Sequence, residues 1–355
     1  MASSPRTVIY LAPTGPVAQS ISTSYHPSGP QALLRVSHSG INPADIKHAT
    51  INLHSSVAGY DMAGEVLSTG PDSPFTPGDR IFGLNAAFPT RPLYMGAHQD
   101  YAIAASRFWY KLPAEGPLGL KEAATLPVMT LTAADGLFHL LGLGFPEAGI
   151  DGDEKQGLLI WGGASTVGVA AIQLAKAAGH GPIIVTASRK NHEVLRGLGA
   201  DYCFDYRDGD VVERVREAIR GCGRPVRKAL DAVGVRSEDG FGKSSPGMTA
   251  ACFGEEQRVD LACVLPVTED GRFKMCFATR DPESPLPMAR IEDAGAWYGM
   301  QEKVMAWVVG NYGPGKYVGC PKITVVKGVE ETLEPMQKSA EGKSSLEKIV
   351  VEHPL

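Results

Sequence analysis

The chain is poor in cysteine, and what it has is scattered. Of its 355 residues six are cysteines (Cys203, Cys222, Cys252, Cys263, Cys276 and Cys320). None stands in a C-x-x-C pair or beside a histidine at ligand spacing, so no metal site is expected and none of these residues is a metal candidate. Long hydrophobic runs are also missing. The longest apolar stretch, from Leu137 to Ile150, is cut by glycines, a proline and a glutamate, and is too short to span a bilayer. The first twenty residues, MASSPRTVIYLAPTGPVAQS, contain no apolar segment of the kind that marks a cleaved signal peptide. Reduced thiols and a cytoplasmic location are therefore the expectation. Clustered cations are absent too. The net charge is −5 and no block of lysines and arginines occurs, which argues against nucleic acid or a membrane as a partner. No Ser-His-Asp order or nucleophile elbow supports hydrolysis. His54, His98 and His139 stand at no spacing that suggests catalysis, and structural or surface roles are expected for them. Internal repeats and low-complexity tails are absent.

What is present is the balance of a folded globular chain, 43% apolar and 21% charged, long enough for two domains with their own cores. The first part, to about residue 125, reads as short strands such as TVIYL, ALLRV and GEVLSTG between Pro/Gly clusters like PDSPFTPGD. The texture changes near Lys121, where KEAATLPVMTLTAADGLFHLLGL spaces its apolar residues as a helix does, interrupted by Pro127. From Gly157 a strand–turn–helix pattern repeats. LLIW is followed by a small-residue helix over 167–178. PIIVTA is followed by a helix over 192–198, and DYCFDY by one over 211–219. KALDAV and RVDLACVLP come next. Strands alternating with helices predict an α/β fold, a parallel sheet covered on both faces. SEDGFGKSSPG (237–247) is expected to be an exposed loop. A helix over 301–309, the strand KITVV, another helix and the strand KIVVE complete the chain.

The stretch LLIWGGASTVGVAAIQLAKAAG (158–179) puts glycines at a strand-to-helix junction, the setting in which a Gly-x-Gly-x-x-Gly reading gains weight. Gly163 can make the tight turn and Gly168 permits close helix–strand packing. Ser165 occupies the middle position, and a pyrophosphate there would meet its hydroxyl together with the helix start at Thr166 and Val167. About twenty residues on, a site for NADH carries an acid that holds the ribose 2′-hydroxyl. Here that position is Ser188, followed by Arg189 and Lys190. A hydroxyl and two cations suit a 2′-phosphate, so the expected cofactor is NADPH. Ligands of such sheets bind at the carboxyl ends of strands, which adds Val233 and Gly234 after one strand and Cys263, Val264 and Leu265 after the next.

INPADIK (41–47), GYDMAGEV (59–66), PGDRIFG (77–83), AATLPVMTLTAADGL (123–137) and GGASTVGVAAIQLAKAAG (162–179) together resemble the medium-chain dehydrogenase/reductase superfamily. The likeness is to its zinc-free, quinone-reductase-like branch, and within that to the fungal trans-acting enoyl reductases of polyketide biosynthesis. The resemblance implies a Rossmann doubly wound parallel sheet plus a GroES-like β-rich domain, with an active-site cleft between them. On this reading residues 1–128 and 296–355 build the GroES-like domain and 129–295 the Rossmann domain. Zinc-dependent relatives place a cysteine ligand in the motif matching INPADIK and a histidine in the one matching GYDMAG. Here those regions hold Pro43, Ala44, Asp45 and Tyr60.

The resemblance also assigns roles to single residues. Lys47 would line the cleft and stabilise an enolate oxygen, Thr132 would sit beside the nicotinamide, and Tyr60 is a third donor candidate. Tyr206 in FDYRD would meet the 2′-phosphate, and Ser345 and Lys348 in SSLEK would reach back to the cofactor. The implied reaction is NADPH-dependent, zinc-independent reduction of an α,β-unsaturated C=C bond in an acyl group tethered to a carrier protein, with a polyketide synthase as the partner. The alternatives are a stand-alone reductase of quinones or small enones, and a protein that binds NADPH without turnover as a scaffold or regulator.

Overall fold

The computed structural model describes residues 5–87, 91–104, 107–153, 155–254, 258–284 and 286–355. The first four residues of the stretch read for a signal peptide lie outside these. The chain divides into two compact units, Met1–Val128 with Gly319–Leu355, and Met129–Val318.

The first unit begins with strands β1 (Arg6–Ala12), β2 (Gly15–Ile21) and β3 (Ala32–Gly40), followed by the one-turn helix α1 (Ala44–Lys47). Then come β4 (Ser56–Val57), β5 (Asp61–Thr69), β6 (Arg80–Leu84), β7 (Tyr101–Ala104), β8 (Trp109–Lys111) and helix α2 (Leu120–Ala123). In the second unit α3 (Pro127–Ala134) runs on from Val128 and precedes β9 (Gly157–Trp161), α4 (Thr166–Ala177), β10 (Ile183–Thr186), α5 (His192–Leu198) and β11 (Tyr202–Phe204). It continues through α6 (Val211–Gly221), β12 (Val226–Asp231), α7 (Ser245–Ala251), β13 (Asp260–Cys263), β14 (Phe273–Met275) and α8 (Ala294–Asn311). The chain then returns to the first unit with β15 (Lys322–Lys327), α9 (Gly328–Ala340) and β16 (Glu347–Glu352).

In the second unit the sheet order is β11-β10-β9-β12-β13-β14, and every pair is parallel. This is the doubly wound Rossmann arrangement, whose strand order reverses at β9. GLLIW and IIVT are buried along their whole length, as strands covered on both faces must be. Helix α6 shows the other pattern: only Val211, Val215 and Ile219, four residues apart, are buried, and its remaining face is polar. Val211, Val215 and Ile219 pack with Leu159, Ile184, Ala229 and Leu261 in the core of this unit.

The first unit is β-rich, as expected. A sheet in the order β15-β16-β3-β5-β6-β8, with β7 also on β3, packs beside a smaller sheet β2-β1-β4. The returning segment is part of the core: Val326, Met336, Ile349 and Val351 pack with Ile9, Leu11, Ile41 and Ala58.

Three local features differ from the sequence reading. The return to the first unit falls at Gly319 and not at 296, because α8 is tied into the second unit. Trp297 Nε1 donates to Asp135 Oδ1 at 2.8 Å and Gln301 Nε2 donates to the Leu131 carbonyl at 3.0 Å. Helix α3 continues as a π-helical turn over Asp135–Leu140, where the buried Asp135 carboxylate also accepts two bonds from Arg280 and the Phe277 amide. Finally, the loop 237–247 is open only to Lys243. Ser244 and Ser245 are buried and begin α7, with Ser244 Oγ capping the Gly247 amide at 3.1 Å. Among the described residues no helix is long and apolar enough to cross a membrane.

Candidate functional site

The carboxyl end of β9 opens into Gly162, Gly163 and the start of α4. Gly162 has φ of +81°, a conformation that favours glycine. Its amide donates to the Thr186 hydroxyl and carbonyl at 3.1 Å, and the Gly163 amide donates to the same carbonyl at 2.9 Å. Thr186, at the end of β10, thus pins the turn, a role the sequence reading missed. Packing also requires the glycines. A methyl on Gly163 would stand 2.1 Å from Val185 Cγ1, and one on Gly168 would stand 2.5 Å from the Gly162 carbonyl oxygen.

Ser165 is the N-cap of α4. Its Oγ accepts from the Gly168 amide at 3.0 Å, which leaves the hydroxyl proton free to donate outward. The amides of Thr166 and Val167 lie in the first turn, where no helical carbonyl can accept from them. Two N–H groups with no partner among the described residues, a hydroxyl proton and the positive end of a 12-residue helix dipole converge there, an arrangement that attracts a phosphate.

Past the end of β10, Ser188 is half-buried while Arg189 and Lys190 are exposed. The Arg189 guanidinium lies 3.5 Å from Asp208, and the Lys190 ammonium makes no ion pair among the described residues. Asp205, after β11, is a carboxylate close to this end. It accepts from the Arg189 amide at 3.0 Å and from the Arg207 amide, Nε and NH2 at 3.1, 2.9 and 2.6 Å. Those donors, Arg207 foremost, hold its carboxyl well below the usual range, so it is ionised and its charge already matched. Tyr206, the next residue, is exposed, with the Arg207 guanidinium 5.8 Å from its ring.

On the other side of β9, the ends of β12 and β13 are shaped by Asp231, which is fully buried. Its Oδ1 accepts from the Val233 and Gly234 amides at 3.0 Å each, and its Oδ2 from the Ser245 hydroxyl at 2.6 Å. Gly234 has φ of +62°, and a methyl there would meet Leu265 Cβ at 2.7 Å. The Val264 amide donates to the Asp231 carbonyl, and the Leu265 amide to Cys263 Sγ at 3.5 Å. Burial, with Asp231 beside it, pushes the Cys263 thiol far up, so it stays protonated. Gly234 and Cys263 line a cavity of about 190 Å³ together with Arg236, Phe241, Pro266 and Glu269. The structure thus brings the predicted residues 163–168, 188–190, 206, 233–234 and 263–265 to the carboxyl edge of one sheet. Thr132, also in this unit, is buried in α3 and its hydroxyl makes no hydrogen bond among the described residues.

In the first unit Lys47 ends α1 and is half-buried. Its ammonium has no hydrogen-bond or ion-pair partner among the described residues, and desolvation lowers its pKa. Tyr60, just before β5, is buried. Its hydroxyl shares a hydrogen bond with His48 Nδ1 at 2.5 Å, and the Arg91 guanidinium stands 4.6 Å over its ring. Burial raises the tyrosine to about 12 and lowers His48 to about 4, so both are neutral at pH 7. Tyr60 is therefore an engaged group, and Lys47 is the open one.

Lys348 does something other than reach a cofactor. It is 1% exposed, and its Nζ donates to Asn42 Oδ1 at 2.5 Å and Asp61 Oδ2 at 3.0 Å. Asp61, wholly buried, also accepts from Asn42 Nδ2 at 3.0 Å and the Val128 amide at 2.8 Å. The ammonium neutralises a buried carboxylate and ties β16 to β5. Ser345, three residues earlier, is exposed.

A zinc ion does not fit the residues at the positions where relatives bind it. Asp45 is held by His98 and the Asn42 amide, Tyr60 by His48, and no described group of three His, Cys, Asp or Glu side chains could hold a metal.

A doubly wound sheet with a glycine turn at its reversal point defines a dinucleotide-binding class of fold. Two family models match the chain: an alcohol dehydrogenase GroES-like domain over residues 28–114 and a zinc-binding dehydrogenase over 166–255. The chain belongs to the medium-chain dehydrogenase/reductase superfamily. It is 34% identical to the trans-enoyl reductase resD of Aspergillus sclerotiorum over 222 residues, 59% of this chain and 61% of that protein. The matches span about half to three fifths of the length of the curated relatives. In fold it is similar to the CurK enoyl reductase, with a TM-score of 0.70 at 20% identity over 99% of both chains. It is likewise similar to mycobacterial Rv1454c complexed with NADPH, with a TM-score of 0.69 at 18% identity over 99% of this chain and all of that one.

Proposed function

We propose that the protein reduces an α,β-unsaturated C=C bond with NADPH, acting on an acyl thioester carried by the carrier protein of a polyketide synthase. The observation that carries the cofactor half is the pairing of unbonded amides at the start of α4 with a carboxylate-free, basic segment at Ser188–Lys190. The trans-enoyl reductase relatives and the fold neighbour complexed with NADPH support it.

Gly162, Gly163 and Gly168 keep the turn low enough for a pyrophosphate to approach. Ser165, Thr166 and Val167 donate to it, while Ser188, Arg189, Lys190 and Tyr206 surround the 2′-phosphate. Val233, Gly234, Cys263, Val264 and Leu265 form the edge along which the nicotinamide half lies. Bound NADPH would supply a hydride. Addition of hydride to the β-carbon drives charge onto the thioester carbonyl oxygen, and the Lys47 ammonium, which has no ion-pair partner among the described residues, would stabilise it. Thr132 supplies a further hydroxyl that makes no hydrogen bond among the described residues.

Initial rates against both nicotinamides and a panel of enoyl thioesters, quinones and small enones test the reading. NADPH is expected to show the lower KM, and enoyl thioesters the higher kcat/KM. A preference for NADH refutes the cofactor assignment, and faster turnover of quinones or small enones refutes the substrate class. Stoichiometric NADPH binding with no oxidation against the whole panel would make the protein a scaffold. Lys190→Glu is expected to raise the KM for NADPH roughly tenfold by replacing a charge-assisted contact with repulsion, leaving that for NADH nearly unchanged. Lys47→Ala is expected to keep NADPH binding, read by fluorescence titration, and to lose about 100-fold in kcat. Parental turnover in this variant would remove Lys47 from the reaction.

A further inference from the structure

Two loops of the second unit meet at one carboxylate. Asp205 follows β11, the edge strand of the sheet, and Arg189 follows β10 beside it. Asp205 Oδ2 accepts from the Arg189 amide at 3.0 Å and from Arg207 Nη2 at 2.6 Å. Its Oδ1 accepts from Arg207 Nε at 2.9 Å and from the Arg207 amide at 3.1 Å. A single oxygen therefore ties the Arg207 guanidinium to the backbone that follows β10. A carboxylate offers about four acceptor positions, and these bonds fill them.

An ordinary surface pair of an aspartate with a nearby arginine leaves the acid in water and fixes little. Here the Asp205 side chain is 6% exposed and that of Arg207 is 60% exposed. The carboxylate is enclosed by its donors, while the guanidinium stays open to solvent. With Nε and Nη2 turned to Asp205, the other edge of the guanidinium carries the two protons of Nη1 and the second proton of Nη2. That edge makes no hydrogen bond among the described residues. It is a planar fork of the kind that takes two oxygens of a phosphate. The other acids of the loop are engaged as well. Asp208 lies 3.5 Å from Arg189 and 2.7 Å from Arg214, and Asp210 lies 3.9 Å from Arg214.

We propose that Arg207, clamped by Asp205, is a further ligand of the 2′-phosphate of NADPH, and that Asp205 is the residue that positions it. This rests on the cofactor reading above. Ser188, Arg189 and Lys190 are the groups given to that phosphate there, and the shared oxygen sets the Arg207 fork beside them. The consequence runs against simple electrostatics. A carboxylate close to an anion repels it, so on charge alone the loss of Asp205 would tighten NADPH binding. If the carboxylate instead holds the fork, its loss weakens binding, because a free guanidinium must give up more side-chain freedom on meeting the phosphate. NADH carries a hydroxyl at that position and is indifferent to both residues.

Isothermal titration of the full-length protein with NADPH and NADH tests this, the second cofactor serving as the control for the fold. Arg207→Leu is expected to raise the Kd for NADPH about tenfold, the worth of one charge-assisted contact, and to leave that for NADH unchanged. Asp205→Asn is expected to raise the Kd for NADPH about fivefold, again with NADH unchanged. The double variant is expected to bind NADPH as Arg207→Leu does, because Asp205 acts through Arg207. Parental or tighter NADPH binding in Asp205→Asn would overturn the positioning role. So would an equal loss for both cofactors, or a further loss of the same size in the double variant. A parental ratio of the two Kd values in Arg207→Leu would overturn the ligand itself. Lys190→Glu keeps this inference apart from the reading it rests on. If that variant loses the preference for NADPH while Arg207→Leu retains it, the phosphate site stands and the role of Arg207 fails. A parent that binds NADH as tightly as NADPH removes both.

Discussion

Replacing Lys348 by methionine is expected to destabilise the protein by about 3–5 kcal/mol, the cost of leaving a buried charge without its partner. Methionine keeps most of the stem but removes the ammonium that lies 3.0 Å from Asp61 Oδ2. The carboxylate would keep only the Asn42 amide group and the Val128 amide, inside a core that solvent does not reach. Burial raises the Asp61 pKa while Lys348, Asn42 and Val128 pull it down, so removing the strongest of these forces the carboxyl toward its neutral form. Urea unfolding of the parent, Lys348→Met, Asp61→Asn and the double variant measures the effect. The double variant should recover much of the loss, because it carries no unpaired ion. A loss below about 1 kcal/mol in Lys348→Met would show that the pair does not hold β16 in place. The same variant separates the two roles considered for this lysine. A cofactor contact predicts weaker NADPH binding, and the buried pair predicts lost stability with the Kd retained in the folded fraction.

Gly168→Ala is expected to weaken NADPH binding by about 100-fold, equivalent to losing two charge-assisted hydrogen bonds. The added methyl would lie 2.5 Å from the Gly162 carbonyl oxygen and 2.7 Å from Gly163 Cα, both backbone atoms that cannot swing aside. The turn has to open, which displaces the Thr166 and Val167 amides and breaks the Ser165 cap on the Gly168 amide. Gly197→Ala is the control. In α5 a methyl there meets nothing within 4 Å, so binding should be unchanged and stability slightly higher. Isothermal titration of the three proteins with NADPH decides the matter. Parental affinity in Gly168→Ala would mean that the α4 start does not hold the pyrophosphate.

The residues best read from sequence are those whose environment is local. Gly163 and Gly168 were legible because a tight strand-to-helix turn excludes a side chain whatever the rest of the protein does. The strands β9, β10 and β12 were legible as short apolar runs between turns. By contrast β14, three residues with no apolar run, gave no signal, and α8 proved longer than its expected span over 301–309.

Polar side chains were legible by type but not by partner. FDYRD points to Tyr206, yet Asp205 is the residue that organises that corner. His98 stood at no informative spacing because its neighbours in space are Asp45, Ser39 and, through Ser39, His353, the last joined to Ser39 across 314 positions of sequence. Lys348 stands in a motif that by resemblance reaches a cofactor, and the fold instead places it on Asp61, 287 positions away.

From its sequence alone this protein is a two-domain α/β chain with a parallel sheet, a glycine turn and a basic segment suited to a phosphate. Periodicity and turn chemistry act over a few residues and survive without knowledge of the rest. Tertiary structure decided which ionisable groups are buried, which of them meet, and hence which are engaged, like Tyr60 and Lys348, and which stand open, like Lys47. The reason is that the charge state and availability of a side chain depend on the dielectric and the partners around it, and packing brings those together from distant parts of the chain.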